Sequence, residues 1–371
     1  MPEKSNLHKL SEAGVSVWID YLSRDLIHEG ELERMMREDA VVGVTSNPTI
    51  FQKAISSGTS YDEQLKELFE TGETDPREIF IQLAYRDVTA ACDLLRPVWD
   101  EGKGKDGYVS WEVDPTLAYK RDETHDQAMR LHELADRPNL HVKIPATKPG
   151  LGAIEDCIAV GRNINVTLIF SLQRHREVIE SYILGLERLV AAGKDPSKVA
   201  SVASFFVSRV DTEADRRLDE IGGHDDLKGK LGVANARLAY QQWKEAFSGD
   251  RWETLASKGA TTQRCLWAST SVKNPAYRDT MYVEELIGPE TVNTMPQETI
   301  EAFQDHGEVK PSSIEHDLES ARRLLQDLAK AGVDYDDVVE VLEQEGVQKF
   351  ADSFDELLEG IGAKQGELQP A

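Results

Sequence analysis

The sequence predicts an α/β fold, a closed parallel (β/α)₈ TIM barrel with extra C-terminal helices. Two observations predict it: short runs typical of buried strands recur along the 371 residues, and segments with helical periodicity, such as 178–186, separate them. Eight strands that alternate with helices favour a closed parallel barrel over an open sheet, and the length suits a barrel with extensions. The predicted strands are 15–20, 41–46, 108–113, 140–144, 163–169, 201–207, 264–269 and 280–283.

The chain is predicted to form one barrel domain over residues 1–371, because no repeat, low-complexity linker or shift in composition marks a boundary. Residues 222–263 are interpreted as a helical insertion whose helix covers 231–247. Residues 312–361 are interpreted as a C-terminal helical extension packed on the barrel. Its amphipathic helices are predicted at 314–331 and 335–358, with a break near Gly346.

Composition and charge narrow the classes of function. The net charge of −25 makes nucleic acid and anionic membranes poor partners, and it means that a phosphate would bind only in a local basic pocket. The three cysteines are far apart without CxxC spacing, which argues against disulfides and structural zinc. No apolar signal core occurs in residues 1–30, and no run approaches membrane-spanning length. We therefore expect a cytoplasmic protein.

Lys143 is the strongest single candidate for chemistry. It lies in the run LHVKIPA at 140–146, where Val142 and Ile144 share one strand face and Lys143 points to the other. Apolar neighbours make the charged ammonium costly, which favours the neutral amine, the nucleophile of Schiff-base chemistry with a carbonyl substrate. The alternative is an edge-strand lysine whose head reaches water.

Polar residues recur at the carboxyl ends of the predicted strands. The strand face that meets the helices of a barrel must be apolar, so these groups point inward near the rim that carries catalytic residues. Each alone has an ordinary explanation, since Asn47 before Pro48 fits a helix cap and Thr167 could bond to nearby backbone. Their recurrence on several strands favours a functional site. The candidates are Asp20, Asn47, Glu112, Lys143, Asn165, Thr167, Ser204, Phe206 and Arg209.

These stretches also resemble a known family. The runs are GVTSNP at 43–48, SWEVD at 110–114, VKIPAT at 142–147, NVTLIFS at 165–171 and SFFVSRVD at 204–211. They are similar to the signature stretches of transaldolase, in the expected order, over roughly residues 15–358. The tail and the run STSVKN at 269–274 resemble the longer, actinobacterial-type transaldolases. The motifs around Lys143 and Asn165 are specific when they occur together.

The resemblance implies a transferase of the pentose phosphate pathway that needs no metal and no cofactor. It would move a dihydroxyacetone unit from sedoheptulose 7-phosphate to glyceraldehyde 3-phosphate, giving erythrose 4-phosphate and fructose 6-phosphate. Its partners would be these small sugar phosphates. Its oligomeric state could be a monomer or a homodimer. By this resemblance, Lys143 would form the Schiff base, Asp20 would act as acid/base at the C4 hydroxyl, and Glu112 and Thr167 would activate a water. Asn47 and Asn165 would bind substrate hydroxyls, and Ser204 and Phe206 would line the site. Arg209 would bind the phosphate.

One segment departs from the family pattern. Members often carry a second arginine soon after the seventh strand, whereas here Lys273 is the available cation, with Ser269 nearby. Lysine supplies charge without the planar fork of arginine. Its position after the seventh strand suits the usual phosphate location in such barrels. A structural alternative for Arg209 is an ion pair with Asp211 or Asp215.

Three alternatives to transfer remain at this point. A class I, Schiff-base sugar-phosphate aldolase would share Lys143, although such relatives tend to use a tyrosine in the catalytic water network, so Glu112 with Thr167 favours transfer. A metal-dependent aldolase would need converging histidines, and the nine histidines show no HxH or HExxH spacing. A non-catalytic barrel would form no imine at all. Whether the insertion or the C-terminal helices touch the site is left open.

Overall fold

The structure, a computed structural model, describes residues 5–56 and 58–368, and in this part of the chain eight strands form a closed barrel. Each strand pairs in parallel with the next, and the last pairs with the first. The predicted fold class is therefore confirmed. The strands are β1 (Val15–Ile19), β2 (Val41–Thr45), β3 (Tyr108–Glu112), β4 (Leu140–Pro145), β5 (Ile164–Ile169), β6 (Ser201–Phe206), β7 (Arg264–Ala268) and β8 (Thr291–Met295).

The predicted eighth strand at 280–283 is wrong. Those residues belong to a helical turn, in which the Glu284 amide donates to the Thr280 carbonyl at 3.0 Å and the Thr280 hydroxyl donates to the Glu284 carboxylate at 2.8 Å. The strand-forming residues Tyr282 and Val283 suggested a strand, but these local bonds favour the helix. The true β8 is rich in threonine and asparagine, so its sequence lacked the apolar signal of a buried strand.

Helices connect the strands and cover the outside of the barrel. The α-helices of the described residues are α1 (Asn6–Glu12), α2 (Arg24–His28), α3 (Glu31–Glu38), α4 (Pro48–Ser56), α5 (Asp62–Glu70), α6 (Pro76–Glu101), α7 (Arg121–Ala135), α8 (Lys148–Ala159), α9 (Leu172–Ala191), α10 (Ser208–Ile221), α11 (Leu231–Ala246), α12 (Gly249–Ala256), α13 (Met281–Glu284), α14 (Gln297–His306), α15 (Leu318–Ala331) and α16 (Tyr335–Leu368).

Short capped connections follow the strands that carry the candidate site. The Thr147 hydroxyl accepts from the Gly150 amide at 3.1 Å and starts α8 soon after β4. The Ser171 hydroxyl accepts from the Arg174 amide at 2.9 Å and starts α9 after β5. A side-chain cap satisfies one of the free amides in the first helical turn. These tight connections fix where β4 and β5 end, and so hold the rim in place.

Aromatic and ionic side chains fill the barrel below the candidate site. The Trp18 indole donates to the Asp106 carboxylate at 3.1 Å, and the rings of Tyr108 and His141 stack at 4.0 Å. Gly43 makes room for this packing, since a Cβ there would lie 2.5 Å from the Trp18 ring. These side chains occupy the lower part of the barrel, on the side away from the carboxyl ends of the strands.

The C-terminal helix α16 differs from its prediction at Gly346. It runs without a break from Tyr335 to Leu368, so the predicted break near Gly346 is wrong. A Cβ at Gly346 would lie 3.1 Å from a methyl carbon of Leu168, at the end of β5. The glycine thus allows α16 to pass close to the barrel, a role that outweighs its low helix propensity.

The two predicted additions contain the expected helices. The insertion at 222–263 holds α11 and α12, and the extension at 312–361 holds α15 and most of α16, which packs against α4, α5, α6 and α10. The assignment of these segments as additions to a single domain stays a prediction. No helix in the described ranges is both long enough and apolar enough to cross a membrane.

Candidate active site

Three neighbouring strands place a row of polar side chains inside the barrel. The β3–β4 register pairs Glu112 with Lys143, and the β4–β5 register pairs Lys143 with Asn165. Side chains in register on adjacent strands point to the same face. Lys143 is 5 % exposed and Glu112 is 7 % exposed, while Asn165 is fully buried. The predicted inward orientation of these residues is the one the structure has.

The Lys143 amine has two oxygen neighbours. It donates a hydrogen bond of 3.2 Å to the Ser46 carbonyl, and it lies 3.6 Å from Oε2 of Glu112. The Ser46 hydroxyl donates to the Ser110 carbonyl at 2.8 Å, which holds this end of β2 against β3. A buried carboxylate is costly unless a basic group compensates it, and the Lys143 amine lies within ion-pair distance of Glu112.

Burial dominates the acidity of Glu112. It raises the pKa of the carboxyl from 4.5 to about 7; the Lys143 amine opposes this rise and the Asp20 carboxylate adds to it. Neither Glu112 oxygen has a hydrogen-bond partner among the described residues, and the same holds for the fully buried Thr167 hydroxyl. A carboxyl group with a pKa raised in this way is a candidate for acid/base catalysis.

Asp20 occupies the other side of the barrel interior. Its carboxylate accepts a hydrogen bond of 2.7 Å from the Thr45 hydroxyl, which also bonds to the Thr294 hydroxyl at 2.7 Å. Thr45 and Thr294 line the same cavity as Asp20 but were not predicted as site residues. The inward position of Thr45 on β2, within GVTSNP, was the available signal; Thr294 lies on the strand that the prediction missed.

The side-chain amide of Asn165 is hydrogen-bonded to residues of strands β3 and β6. Its amide nitrogen donates to the Ser110 hydroxyl at 2.9 Å, and its amide oxygen accepts from the Ser204 hydroxyl at 2.7 Å. Asn47 caps the start of α4 and also lines the cavity. Its side-chain oxygen accepts a hydrogen bond of 3.1 Å from the Ile50 amide. The ordinary explanation of Asn47 as a helix cap is thus also correct.

A cavity of about 230 Å³ opens at the carboxyl ends of the strands. Eight of the predicted site residues line it, whereas Glu112, Asn165 and Thr167 are buried and do not line it. The eight are Asp20, Asn47, Lys143, Ser204, Phe206, Arg209, Ser269 and Lys273. The volume and the polar lining suit a small, hydroxyl-rich ligand.

Arg209 provides a positive charge in the first turn of α10. Its guanidinium lies 5.1 Å from the ring centroid of Phe206 and 6.0 Å from that of Phe350, and burial lowers its pKa. In the ranges that the structure describes, Arg209 makes no ion pair and no hydrogen bond through its side chain. The carboxylates of Asp20 and Glu345 oppose the lowering of its pKa but form no ion pair with Arg209. A guanidinium at a helix N-terminus that is not ion-paired is suited to binding an anion.

The alternative pairing of Arg209 with Asp211 or Asp215 is wrong. Asp211 accepts from the Gly232 amide and the Tyr282 hydroxyl, each at 2.7 Å. Asp215 accepts from the Gly229 amide at 2.8 Å and the Tyr277 hydroxyl at 2.6 Å. Both carboxylates therefore accept hydrogen bonds from other groups and do not pair with Arg209.

Two further lysines join the predicted cations. Lys53 from α4 and Lys349 from α16 line the cavity with Arg209 and Lys273. The positive charge of Arg209, followed by burial and the charges of Lys273 and Lys53, lowers the pKa of Lys349. Lys349 was missed because nothing in the sequence places the C-terminal helix over the barrel mouth. Together with Lys143, five basic side chains line one cavity in a chain of net charge −25, which makes the cavity a concentrated anion site.

Ser269 ends β7 in an uncommon conformation. Its φ of 55° lies in the left-handed region, which is unfavourable for a residue other than glycine, and its hydroxyl bonds to that of Ser208 at 2.8 Å. Leu168, next to Thr167, has a φ of 58°. Strained residues of this kind cluster at functional sites. The exposed Lys273 amine bonds to the Ser271 hydroxyl.

Comparisons with known proteins identify the family. The family model described as Transaldolase/Fructose-6-phosphate aldolase matches residues 17–361. The chain belongs to this family. Proteins named transaldolase from Mycobacterium leprae (strain TN) and Frankia alni are 51% and 52% identical to it, with 96% and 97% of both chains covered. The protein of that name from Mycolicibacterium smegmatis is 52% identical over 100% of both chains.

The match to the transaldolase family confirms the predicted enzyme class, a transferase of the transaldolase type, and the predicted likeness to actinobacterial members. The non-catalytic barrel is thereby excluded as the interpretation of the whole chain. The roles of the individual site residues remain predictions. No group of three or more His, Cys, Asp or Glu side chains in residues 5–56 and 58–368 is arranged to hold a metal ion.

Proposed function

We propose that this protein transfers a dihydroxyacetone unit between sugar phosphates through a Schiff base on Lys143. The donor and acceptor would be sedoheptulose 7-phosphate and glyceraldehyde 3-phosphate, and the products fructose 6-phosphate and erythrose 4-phosphate. The observation that carries the proposal is the buried Lys143 amine, 3.6 Å from Glu112 and at the wall of a cavity lined by cations. An amine beside a proton-carrying carboxyl is the arrangement that imine formation needs.

Imine formation begins when the Lys143 amine adds to the ketose carbonyl and gives a carbinolamine. Loss of the hydroxyl as water requires a proton, which Glu112 would supply from its acid form. The buried Glu112 oxygens and Thr167 hydroxyl need a polar partner, because an unsatisfied buried group is costly. A water held between them would carry protons to and from the imine.

Carbon–carbon cleavage would then depend on Asp20. The carboxylate takes the proton of the C4 hydroxyl, the C3–C4 bond breaks, and its electron pair moves into the iminium to give an enamine on Lys143. The first aldose leaves, and the acceptor aldehyde reacts by the reverse steps. Asn47 and Asn165 would bind hydroxyls of the three-carbon unit, with Ser204 and Phe206 beside it. Thr45 fixes the Asp20 carboxylate by its hydrogen bond of 2.7 Å.

The substrate phosphate would bind at the cationic end of the cavity. Arg209 supplies a planar guanidinium, Lys273 and Lys349 supply point charges, and Ser269 supplies a hydroxyl. Charge-assisted contacts of this kind contribute about 1.5–3 kcal/mol each. Lys349 is exposed and has no ion-pair partner in the described parts of the chain, so a phosphate would relieve its repulsion by the other cations.

Borohydride reduction in the presence of fructose 6-phosphate, followed by peptide mass spectrometry, tests the covalent step. The expected adduct is a reduced three-carbon or hexose phosphate imine on Lys143. An adduct on another lysine, or no adduct, would contradict the proposal.

A class I aldolase is the second candidate, because the matching family model covers both activities. The two are distinguished by supplying fructose 6-phosphate with and without erythrose 4-phosphate. A transaldolase forms sedoheptulose 7-phosphate and needs the acceptor for turnover, whereas an aldolase releases free dihydroxyacetone without it. The relatives at 51–52% identity bear the name transaldolase, which supports transfer.

We also propose that the protein works in the cytoplasm on these small sugar phosphates, without a nucleic-acid or membrane partner, as a monomer or homodimer. The net charge of −25 opposes binding to polyanions. Its three cysteines are buried and free, as suits a reducing compartment. Light scattering measures the oligomeric state, and titration with duplex DNA and anionic vesicles should show no binding at physiological salt.

A further inference from the structure

A small void lies beside Glu112 and is separate from the main cavity. Its volume is about 10 Å³, and Glu112 is the only carboxylate among its lining residues in the described chain. Trp111, Phe80 and Phe354 contribute much of the remaining wall. A space of this size holds about one water at most. The carboxyl is therefore shielded from bulk solvent on this side by aromatic side chains.

Three helices build that shield from phenylalanine rings. The centroids of Phe51 on α4 and Phe80 on α6 are 5.3 Å apart at 75°, and those of Phe80 and Phe354 on α16 are 5.6 Å apart at 76°. These edge-to-face contacts are a favourable geometry for aromatic pairs. All three side chains are buried, with Phe354 3 % exposed. The guanidinium of Arg77 lies 5.7 Å from the Phe354 ring centroid and ion-pairs with Asp114 at 3.0 Å.

We propose that Phe354 is a positioning residue for the reaction: its ring closes the void beside Glu112 to bulk water and so maintains the surroundings in which that carboxyl exchanges a proton with the imine. The inference rests on the proposed function, since it needs Glu112 to act on the imine. It assigns the C-terminal helix a part in the proton chemistry, in addition to the contribution of Lys349 at the phosphate end.

The charged groups near Glu112 do not by themselves account for the raised pKa of its carboxyl. Lys143 on β4, at 3.6 Å, favours the ionised carboxylate, and Asp20 on β1 favours the acid form. Arg77, whose guanidinium lies over the Phe354 ring, is ion-paired with Asp114. Burial is the largest of the influences on Glu112. The apolar wall is thus the feature whose loss should change its ionisation most.

The experiment compares Phe354→Ala with Leu357→Ala. Leu357 is a fully buried residue of the same helix that lines neither cavity, so its truncation controls for lost packing. The readouts are the pH dependence of kcat/KM and of the rate of borohydride-trapped imine formation. We expect Phe354→Ala to move the ionisation from about 7 toward 4.5 by about one pH unit or more. Leu357→Ala should lower the melting temperature and leave the profile in place.

Phe354→Val and Leu357→Val extend the comparison should the alanine variant fail to fold. Valine removes the ring with less loss of volume, and a smaller shift in the same direction is expected. In a Glu112→Gln background, Phe354→Val should have no further effect on the pH profile. A profile that stays unmoved in folded Phe354 variants would overturn the inference while leaving the proposed function intact. Failure of the parent protein to form any Lys143 adduct would overturn the proposed function instead.

Discussion

Thr45 donates a hydrogen bond of 2.7 Å to the carboxylate of Asp20, and the two residues lie at the ends of neighbouring strands β2 and β1. The same hydroxyl meets that of Thr294 on β8, so three adjacent strands form one hydrogen-bonded chain. Asp20 is partly exposed to the cavity, so without this hydrogen bond its side chain could adopt several rotamers. The hydroxyl therefore fixes the direction in which the proposed acid/base faces the substrate.

Thr45→Val tests this relationship. The change removes the donor and keeps the volume, and a hydrogen bond to a charged group contributes about 1.5–3 kcal/mol, so transfer should slow by about 10- to 150-fold. Borohydride trapping with fructose 6-phosphate should continue, because the imine forms without Asp20. Thr45→Ser retains the hydroxyl and should stay close to the parent rate. A loss of trapping in Thr45→Val would show that the residue acts at an earlier step.

Lys143→Met should fold and lose all turnover and trapping. Methionine has a length similar to lysine and no amine, and the position is only 5 % exposed, so an apolar side chain can be accommodated there. Lys148→Met is the matched control, since Lys148 begins α8 outside the cavity and should leave both activities in place. Circular dichroism and mass spectrometry of the reduced complex provide the measurement. Residual trapping in Lys143→Met would assign the imine to a different lysine.

Glu112→Gln should slow imine formation by about 10²–10⁴, as expected for loss of a positioned acid. In the parent, the raised pKa of Glu112 predicts that imine formation falls as pH rises through about 7, where the acid form is lost. Because the pKa of Glu112 is higher in the folded protein, protonation of this carboxyl stabilises the fold. That stabilisation is fully present below pH 4.5 and is lost as the pH rises through about 7.

Rapid-quench trapping between pH 5 and 9 measures the effect, with Asp20→Asn as the comparison. Asp20→Asn should form the imine at the parent rate and fail to cleave the carbon–carbon bond. A pH profile of imine formation that is unchanged in Glu112→Gln would remove Glu112 from this step.

Sequence and structure agree where a strand carries its own signal. The alternation around Lys143 and Glu112 predicted their shared interior face, and the β3–β4 register places them side by side. The prediction failed where polar residues form a strand. β8 is buried but contains threonine and asparagine, so its sequence does not resemble a buried strand, and the more apolar segment of α13 was predicted as the eighth strand instead. Lys349 and Phe354 could not be predicted as site residues, because tertiary packing of α16 alone brings them to the barrel.

Gly43→Ala should destabilise the fold without touching the cavity. An added Cβ would lie 2.5 Å from the Trp18 ring, which is fully buried and hydrogen-bonded to Asp106. Overpacking of this kind typically costs about 1–3 kcal/mol. Gly362→Ala, in α16 with no atom within 4 Å of the new methyl, is the control and should be neutral or stabilising. Urea denaturation compares the two, and equal midpoints would show that the lower barrel tolerates the methyl.

Arg209→Ala should weaken binding of phosphorylated substrate most strongly among the cavity cations. The guanidinium is partly buried between Phe206 and Phe350 and has no carboxylate partner in the described ranges, so its charge is available to the ligand. One charge-assisted contact corresponds to about 10- to 150-fold in affinity. KM for fructose 6-phosphate should rise by this factor, and the preference over unphosphorylated fructose should shrink.

Lys349→Ala and Lys273→Ala should show the same change to a smaller degree, since each amine is exposed and lacks the planar fork of arginine. Raising the ionic strength should weaken the lysine contributions further, because exposed charges are screened. Lys330→Ala, on α15 and away from the cavity, is the matched control and should leave KM unchanged. A preference for the phosphorylated sugar that survives the combined Arg209→Ala and Lys349→Ala changes would show that the phosphate binds elsewhere on the protein.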